Sequence, residues 1–89
     1  MGDRLSGRVA VITGAGNGIG RATALRFLEH GASVVIADVN QATGAETLDL
    51  AESAGHGERA RFVHCDVARE ADVRGAIDHA VAAFGRLDC

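Results

Sequence analysis

RVAVITGAGNGIG, the stretch from Arg8 to Gly20, decides how this chain folds. Its first five residues include four apolar ones in succession, Val9, Ala10, Val11 and Ile12, with no polar alternation after Arg8. An unbroken apolar run of that length suits a strand buried on both faces, as in a parallel sheet covered by helices. Four glycines follow at alternating positions, Gly14, Gly16, Gly18 and Gly20, and a helical pattern begins at Ile19. Strand, glycine turn and helix together aim backbone N–H groups and the positive end of a helix dipole at one point. A pyrophosphate suits that point, and glycine lets it approach the main chain and lets the turn take φ > 0.

The simple G-x-G-x-x-G spacing fails here, because the third position falls on Ile19 counted from Gly14 and on Arg21 counted from Gly16. The pattern that fits is T-G-x-x-x-G-I-G, over Thr13, Gly14, Ala15, Gly16, Asn17, Gly18, Ile19 and Gly20. A glycine-rich turn that only permits tight strand-on-helix packing is the plain alternative. Strand and helix patterns on the two sides favour the nucleotide reading.

Composition narrows the function classes. The 89 residues fit one small domain, with 47% hydrophobic and 24% charged residues as in ordinary globular proteins. Net charge is −3 and no basic run occurs, which argues against nucleic acid or an anionic membrane as partner. No apolar run reaches the length of a membrane span, and MGDRLSGR lacks the apolar core of a signal peptide, so a cytoplasmic location is expected. Cys65 and Cys89 have no metal or redox spacing, and His30, His56, His64 and His79 are scattered, so no metal site is expected.

Along the chain, residues 8–12 read as strand one and 13–18 as the phosphate turn. Helix one is expected from Gly18 to His30, with Ile19, Ala22, Ala24, Phe27 and Leu28 facing the sheet and Gly31 ending it. Strand two covers Ser33–Ala37 and ends in Asp38; helix two starts at the N-cap Asn40 and ends near Ala54. Its stripe of Ala42, Ala45, Leu48, Leu50 and Ala51 is weak, and Gly44 interrupts it at about 1 kcal/mol relative to alanine. Strand three runs from Ala60 to Cys65 and helix three from about Arg69 to Phe84, with Val73, Ile77, Ala80, Val81 and Phe84 as its apolar stripe. Leu87–Asp88–Cys89 reads as the first step of a fourth strand. The βαβαβα alternation with right-handed crossovers predicts a doubly wound parallel sheet in the order 3-2-1.

Asp38 lies 24 residues past Gly14, near the spacing expected of a ribose-binding acid. Its carboxylate can accept from the ribose hydroxyls and would repel a 2′-phosphate, so NAD is expected over NADP. No basic residue stands at positions 37, 39 or 40, nor among 13–18, to support such a phosphate. The alternative is a strand-end aspartate that starts a turn or caps helix two.

The octet 13–20, Asp38, Cys65–Asp66–Val67 and Phe84–Gly85–Arg86–Leu87–Asp88 together resemble the front part of a short-chain dehydrogenase/reductase, from about Leu5 onward. The resemblance implies a Rossmann-like sheet and hydride transfer between NAD and an alcohol or carbonyl substrate. It also implies that Asp66 and Val67 border the adenine, Asn17 the adenosine ribose, and that the Ile19 N–H meets the pyrophosphate while Thr13 braces the turn. The alternative for Asp66 and Val67 is a helix-entry acid and a core valine, and Arg21 reads as an exposed first-turn arginine. Ala68 departs from the family's usual Ser or Thr cap, at about 1 kcal/mol.

The same resemblance implies catalysis by a tyrosine, reference pKa about 10, brought toward working pH by a lysine, beside a serine that polarises the carbonyl. The 89 residues hold no Tyr and no Lys, and Ser6, Ser33 and Ser53 lie outside any such motif. The Asn-Asn-Ala-Gly-like segment that abuts the cofactor in the family is absent as well. The expectation is therefore the N-terminal part, residues 1–89, of a dinucleotide-binding domain, as a fragment or truncated product without the catalytic part. Strand one would then be an open apolar edge prone to self-association, and the domain marginally stable. Two rivals stand beside this: a non-catalytic nucleotide-binding or assembly module, and an S-adenosylmethionine-dependent methyltransferase fragment. The second is disfavoured by Ile12–Thr13, where such enzymes place an acid at the end of the first strand.

Overall fold

The computed structural model describes residues 4–16 and 18–88; Asn17, Cys89 and residues 1–3 of the lead-in lie outside the described residues. Strand β1 (Val9–Thr13) leads into α1 (Gly18–Glu29), β2 (Ser33–Asp38) and α2 (Gln41–Ser53). A 3-10 turn (Gly57–Arg59) precedes β3 (Ala60–His64), and α3 (Glu70–Phe84) completes the order. The strands are parallel with β2 in the centre, so the order is the expected 3-2-1. Register runs from Val9 opposite Ser33 to Thr13 opposite Ala37, and from Val34 opposite Ala60 to Asp38 opposite His64.

Period-two alternation along β2 divides the core. Val34 and Ile36 pack on one face with Ala24 and Leu28 of α1 and Ala51 of α2. Val35 and Ala37 turn to the other face, toward Ala80 and Ala76 of α3. Burial on both sides explains the unbroken apolar sequence of this strand. The helix surfaces against the sheet are mostly small residues (Ala24, Gly44, Ala51, Ala76 and Ala80), which lets the helices approach closely.

The helical stripes read from sequence are corrected in several places. Ile19 and Ala22 face outward, Ile19 being 86% exposed; Ala24 and Leu28 are the buried residues of α1. In α2 the buried residues are Gly44, Thr47 and Ala51, while Ala42, Ala45 and Leu50 are exposed and Leu48 is half-buried. In α3, Ile77 and Val81 are 39% and 47% exposed, and Ala76 takes the buried place beside Ala80. In α2 and α3 the deepest positions against the sheet hold small side chains and the larger apolar residues sit at the margins, whereas α1 buries Leu28 beside Ala24. The N-cap of α3 is Arg69, without a side-chain bond, rather than Ala68; Glu70 and Asp72 in the first turn complement the dipole.

Helix ends show local chemistry legible from composition. Asn40 accepts from the Thr43 N–H at 3.1 Å and caps α2, and Gly85 (φ 84°) ends α3 in the left-handed region. Arg59 holds the end of α1, its Nη1 donating to the Leu28 carbonyl at 3.0 Å and the Ala32 carbonyl at 2.5 Å. Beside β1, the Asp88 N–H donates to the Val9 carbonyl, and the Val9 N–H donates to Asp88 Oδ2, both at 2.8 Å. These bonds set Asp88 against the outer edge of β1, where a fourth strand was expected to start.

Candidate dinucleotide site

The glycine turn and the carboxyl end of β2 meet at one edge of the sheet. Gly14 (φ 66°) and Gly18 (φ 58°) supply the left-handed backbone that carries β1 into α1. At Gly20 a Cβ would collide with the Gly14 carbonyl, and at Gly16 it would lie 2.5 Å from both Asp38 Oδ2 and Thr43 Oγ1. The four glycines thus answer to two requirements, conformation at 14 and 18 and contact at 16 and 20.

Two donors of the turn already have partners: Ala15 N–H reaches the Ala37 carbonyl at 3.3 Å, and Gly16 N–H reaches Asp38 Oδ2 at 2.7 Å. The first-turn N–H groups of α1, from Gly18 through Ile19 and Gly20 to Arg21, have no acceptor within the helix. With no acidic residue in that turn, they form a positive helix terminus suited to an anion.

Asp38 ends β2 half-buried. Its Oδ2 takes the Gly16 N–H and its Oδ1 the Asn40 N–H at 2.8 Å. A carboxylate offers about four acceptor positions, so about two remain for hydroxyl donors. Asp66 follows β3 and accepts from the Ala68 N–H at 2.9 Å, while its own N–H donates to Asp72 Oδ2 at 3.1 Å. Asp66 thus makes the contacts of a helix-entry acid.

Val67 is 63% exposed and so is not a core valine. Val39, directly after Asp38, is 59% exposed. Two apolar side chains therefore stand in water just beyond the ends of neighbouring strands, a costly arrangement that suits a flat apolar ligand. Sequence reading missed Val39, although an apolar residue after each strand-end segment was visible. Cys65, packed with Ala37 and Ala76, is buried, and burial first, then Asp72 and Asp66, pushes its thiol pKa up.

Thr13 ends β1 and is exposed; Thr47 of α2, which sequence reading did not single out, donates its hydroxyl to the turn's Ala15 carbonyl at 2.8 Å. Arg21 is a further correction. Its side chain is mostly buried between α1 and α2, donating from Nε to Thr47 Oγ1 at 2.9 Å and from Nη2 to the Gly16 carbonyl and Glu46 Oε1, each at 2.6 Å. The motif gave its position, but only the packing of α2 against the turn gives its contacts.

A groove of about 450 Å³ lined by Ile19, Ala22, Thr23, Arg26 and Phe27 runs along α1, beside the turn rather than over the strand ends. Among the described residues no group of three or more His, Cys, Asp or Glu could hold a metal ion, and no helix is long and apolar enough to cross a membrane.

The family model for short chain dehydrogenases matches residues 8–89. Momilactone A synthase of Oryza sativa subsp. japonica is 50% identical over 86 residues, 96% of this chain and 30% of the rice protein. Short chain aldehyde dehydrogenase 1 of Euphorbia lathyris is 46% identical over 85 residues, 96% of this chain and 28% of its own length. Among solved structures, a short chain dehydrogenase/reductase from Burkholderia phymatum in complex with NAD superposes with a TM-score of 0.88 at 41% identity, over 93% of this chain and 29% of that one. The chain thus spans about 30% of the length of the curated relatives it matches. With its three-stranded parallel sheet and its glycine turn, the chain belongs to the short chain dehydrogenase family.

Proposed function

We propose that this chain is the front part of a NAD(H)-binding domain, in an oxidoreductase that moves a hydride between NAD and an alcohol or carbonyl substrate. The observation that carries the reading is the meeting of the glycine turn, the N-terminus of α1 with no acidic residue in its first turn, and the Asp38 carboxylate at the carboxyl end of β2. The first turn of α1 would take the pyrophosphate, Asp38 the adenosine ribose, and Val39, Val67 and Asp66 would border the adenine. The bound nicotinamide would supply the hydride chemistry, and this chain's residues hold and orient the adenosine half.

NAD over NADP follows from charge. A 2′-phosphate would meet the Asp38 carboxylate, and Arg21, the cation that touches the turn, is already paired with Glu46 and with the Gly16 carbonyl. Titration by NADH and NADPH fluorescence tests this. Tight NADH and weak NADPH binding support it, and Asp38→Ala should lower NADH affinity about 10-fold to 100-fold, since hydrogen bonds to charged groups are worth about 1.5–3 kcal/mol. Equal affinity for the two cofactors, unchanged by Asp38→Ala, would refute it.

One observation favours a second reading, an assembly module that binds nucleotide without turnover. Among the described residues no strand lies beside the outer edge of β1, and Ile77 and Val81 of α3 are exposed. Self-association through that edge would pair the strand and cover apolar surface. A defined dimer in sizing chromatography supports this reading, and a monodisperse monomer counts against it.

A further inference from the structure

Thr47 is the only buried polar side chain among the described residues, and it is fully enclosed. Its Oγ1 lies 2.8 Å from the Ala15 carbonyl oxygen, 3.1 Å from that of Gly16 and 3.3 Å from that of Thr43. It also accepts from Arg21 Nε at 2.9 Å. A hydroxyl has one proton to give, and Ala15 offers the shortest acceptor. That choice matters for the next bond along the chain.

A planar trans peptide points its C=O and its N–H in opposite directions. In the Ala15–Gly16 peptide, the C=O faces Thr47 and the N–H faces Asp38 Oδ2 at 2.7 Å. One rigid plane therefore joins a buried hydroxyl on α2 to the carboxylate at the end of β2. Arg21 reinforces the same plane by orienting Thr47 and by holding the next carbonyl, that of Gly16. The bareness of Gly16 belongs to this arrangement, since a Cβ there would push Asp38 and Thr43 aside.

We infer that Thr47, supported by Arg21, is a positioning residue for ribose recognition: through the Ala15–Gly16 peptide it fixes Asp38 Oδ2 where a 2′-hydroxyl donor is read. This rests on the proposed role of Asp38 as the ribose acceptor. Thr47 touches no ligand, and its effect is on discrimination rather than on binding in general. Loss of its hydroxyl frees the peptide plane to turn and lets the carboxylate drift from the ribose edge.

The test uses ADP and 2′-deoxy-ADP, which differ only in the hydroxyl that Asp38 is proposed to read. The parent chain should favour ADP about tenfold, the worth of one hydrogen bond to a charged group. In Thr47→Val the preference should collapse to below about threefold, Thr47→Ser should restore it, and Arg21→Met should lower it. A purely structural role would weaken both ligands together and leave their ratio unchanged, and that result overturns the proposal. Arg21→Met gives the same reading should Thr47→Val fail to fold.

Amide hydrogen exchange at Gly16, without ligand, separates the two levels of the argument. Faster exchange in Thr47→Val than in Thr47→Ser supports the relay even if the parent chain does not distinguish the two nucleotides, in which case the ribose role of Asp38 fails instead. Equal protection at Gly16 in the parent and in Thr47→Val overturns the relay.

Discussion

Replacing Gly44 by alanine opposes two effects of opposite sign. Gly44 lies inside α2, where alanine is the better helix former by about 1 kcal/mol. The structure places the Phe62 ring of β3 against it: a Cβ would lie 2.7 Å from Cδ1 and 2.8 Å from Cζ, with Cε1 nearer still. Ordinary carbon contacts are at about 3.5–4.0 Å, so the methyl would intrude by about 1 Å on three ring atoms. The ring must leave its rotamer or α2 must lift from β3, and overpacking of this kind costs about 1–3 kcal/mol.

Phe62 packs against the core shared by α1, α2 and β2, and the overlap is with rigid ring atoms, so the upper end applies. With the propensity gain subtracted, Gly44→Ala should destabilise by about 2 kcal/mol, a fall of about 10 °C in Tm for a chain of this size. Thermal unfolding followed by circular dichroism measures it. The double variant with Phe62→Leu should recover part of the loss, with a coupling of about 1 kcal/mol. A higher Tm for Gly44→Ala would refute the reasoning, because it would mean that helix propensity alone governs the site.

Other consequences are as specific. Arg59→Ala should destabilise the fold by about 1–2 kcal/mol in the same assay, because the Leu28 carbonyl in the last turn of α1 and the Ala32 carbonyl just before β2 lose a cationic donor. The carboxyl of Asp88 is held below the usual carboxylate range by its bond with Arg86 and then by the Val9 N–H. Its contribution is present above the unfolded carboxylate pKa of about 3.9 and is lost as pH falls through the lowered folded value; the Val9 amide shift should therefore titrate with a midpoint under that value. The buried Cys65 thiol, with its pKa raised, should react slowly with disulfide reagents at neutral pH. Stability should fall as pH climbs past about 8.5, where the unfolded thiol ionises first.

The sheet was legible because its cause is local. VAVI and SVVI have no polar alternation, and burial on both faces is what such runs require. The glycine turn was legible in the same way, since Gly14 and Gly18 have left-handed φ and Gly16 and Gly20 leave no room for a Cβ. The helix faces were less so. Sequence reading put Ala24, Leu28 and Ala80 on the buried faces together with Ile19, Ile77 and Val81, whereas contact with the sheet buries the first three and Ala76 and leaves Ile19, Ile77 and Val81 exposed.

Gly44 looked like an interruption and is a contact with Phe62, which comes eighteen residues later in the sequence. Thr47 and Arg21 were invisible as a pair for the same reason. Their bonds span 26 to 32 positions and exist only once α2 has packed on the turn. No local pattern encodes a threonine that serves another element's carbonyls.

Whether the carboxyl ends of these strands hold a dinucleotide is tested most directly by amide chemical-shift mapping of the chain during titration with NAD. Shifts should gather on the glycine turn and first turn of α1, on Asp38 to Asn40, and on Asp66 to Ala68. Saturable shifts that instead follow the groove along α1, or the exposed face of α3, or no shifts at all, would contradict a dinucleotide site there.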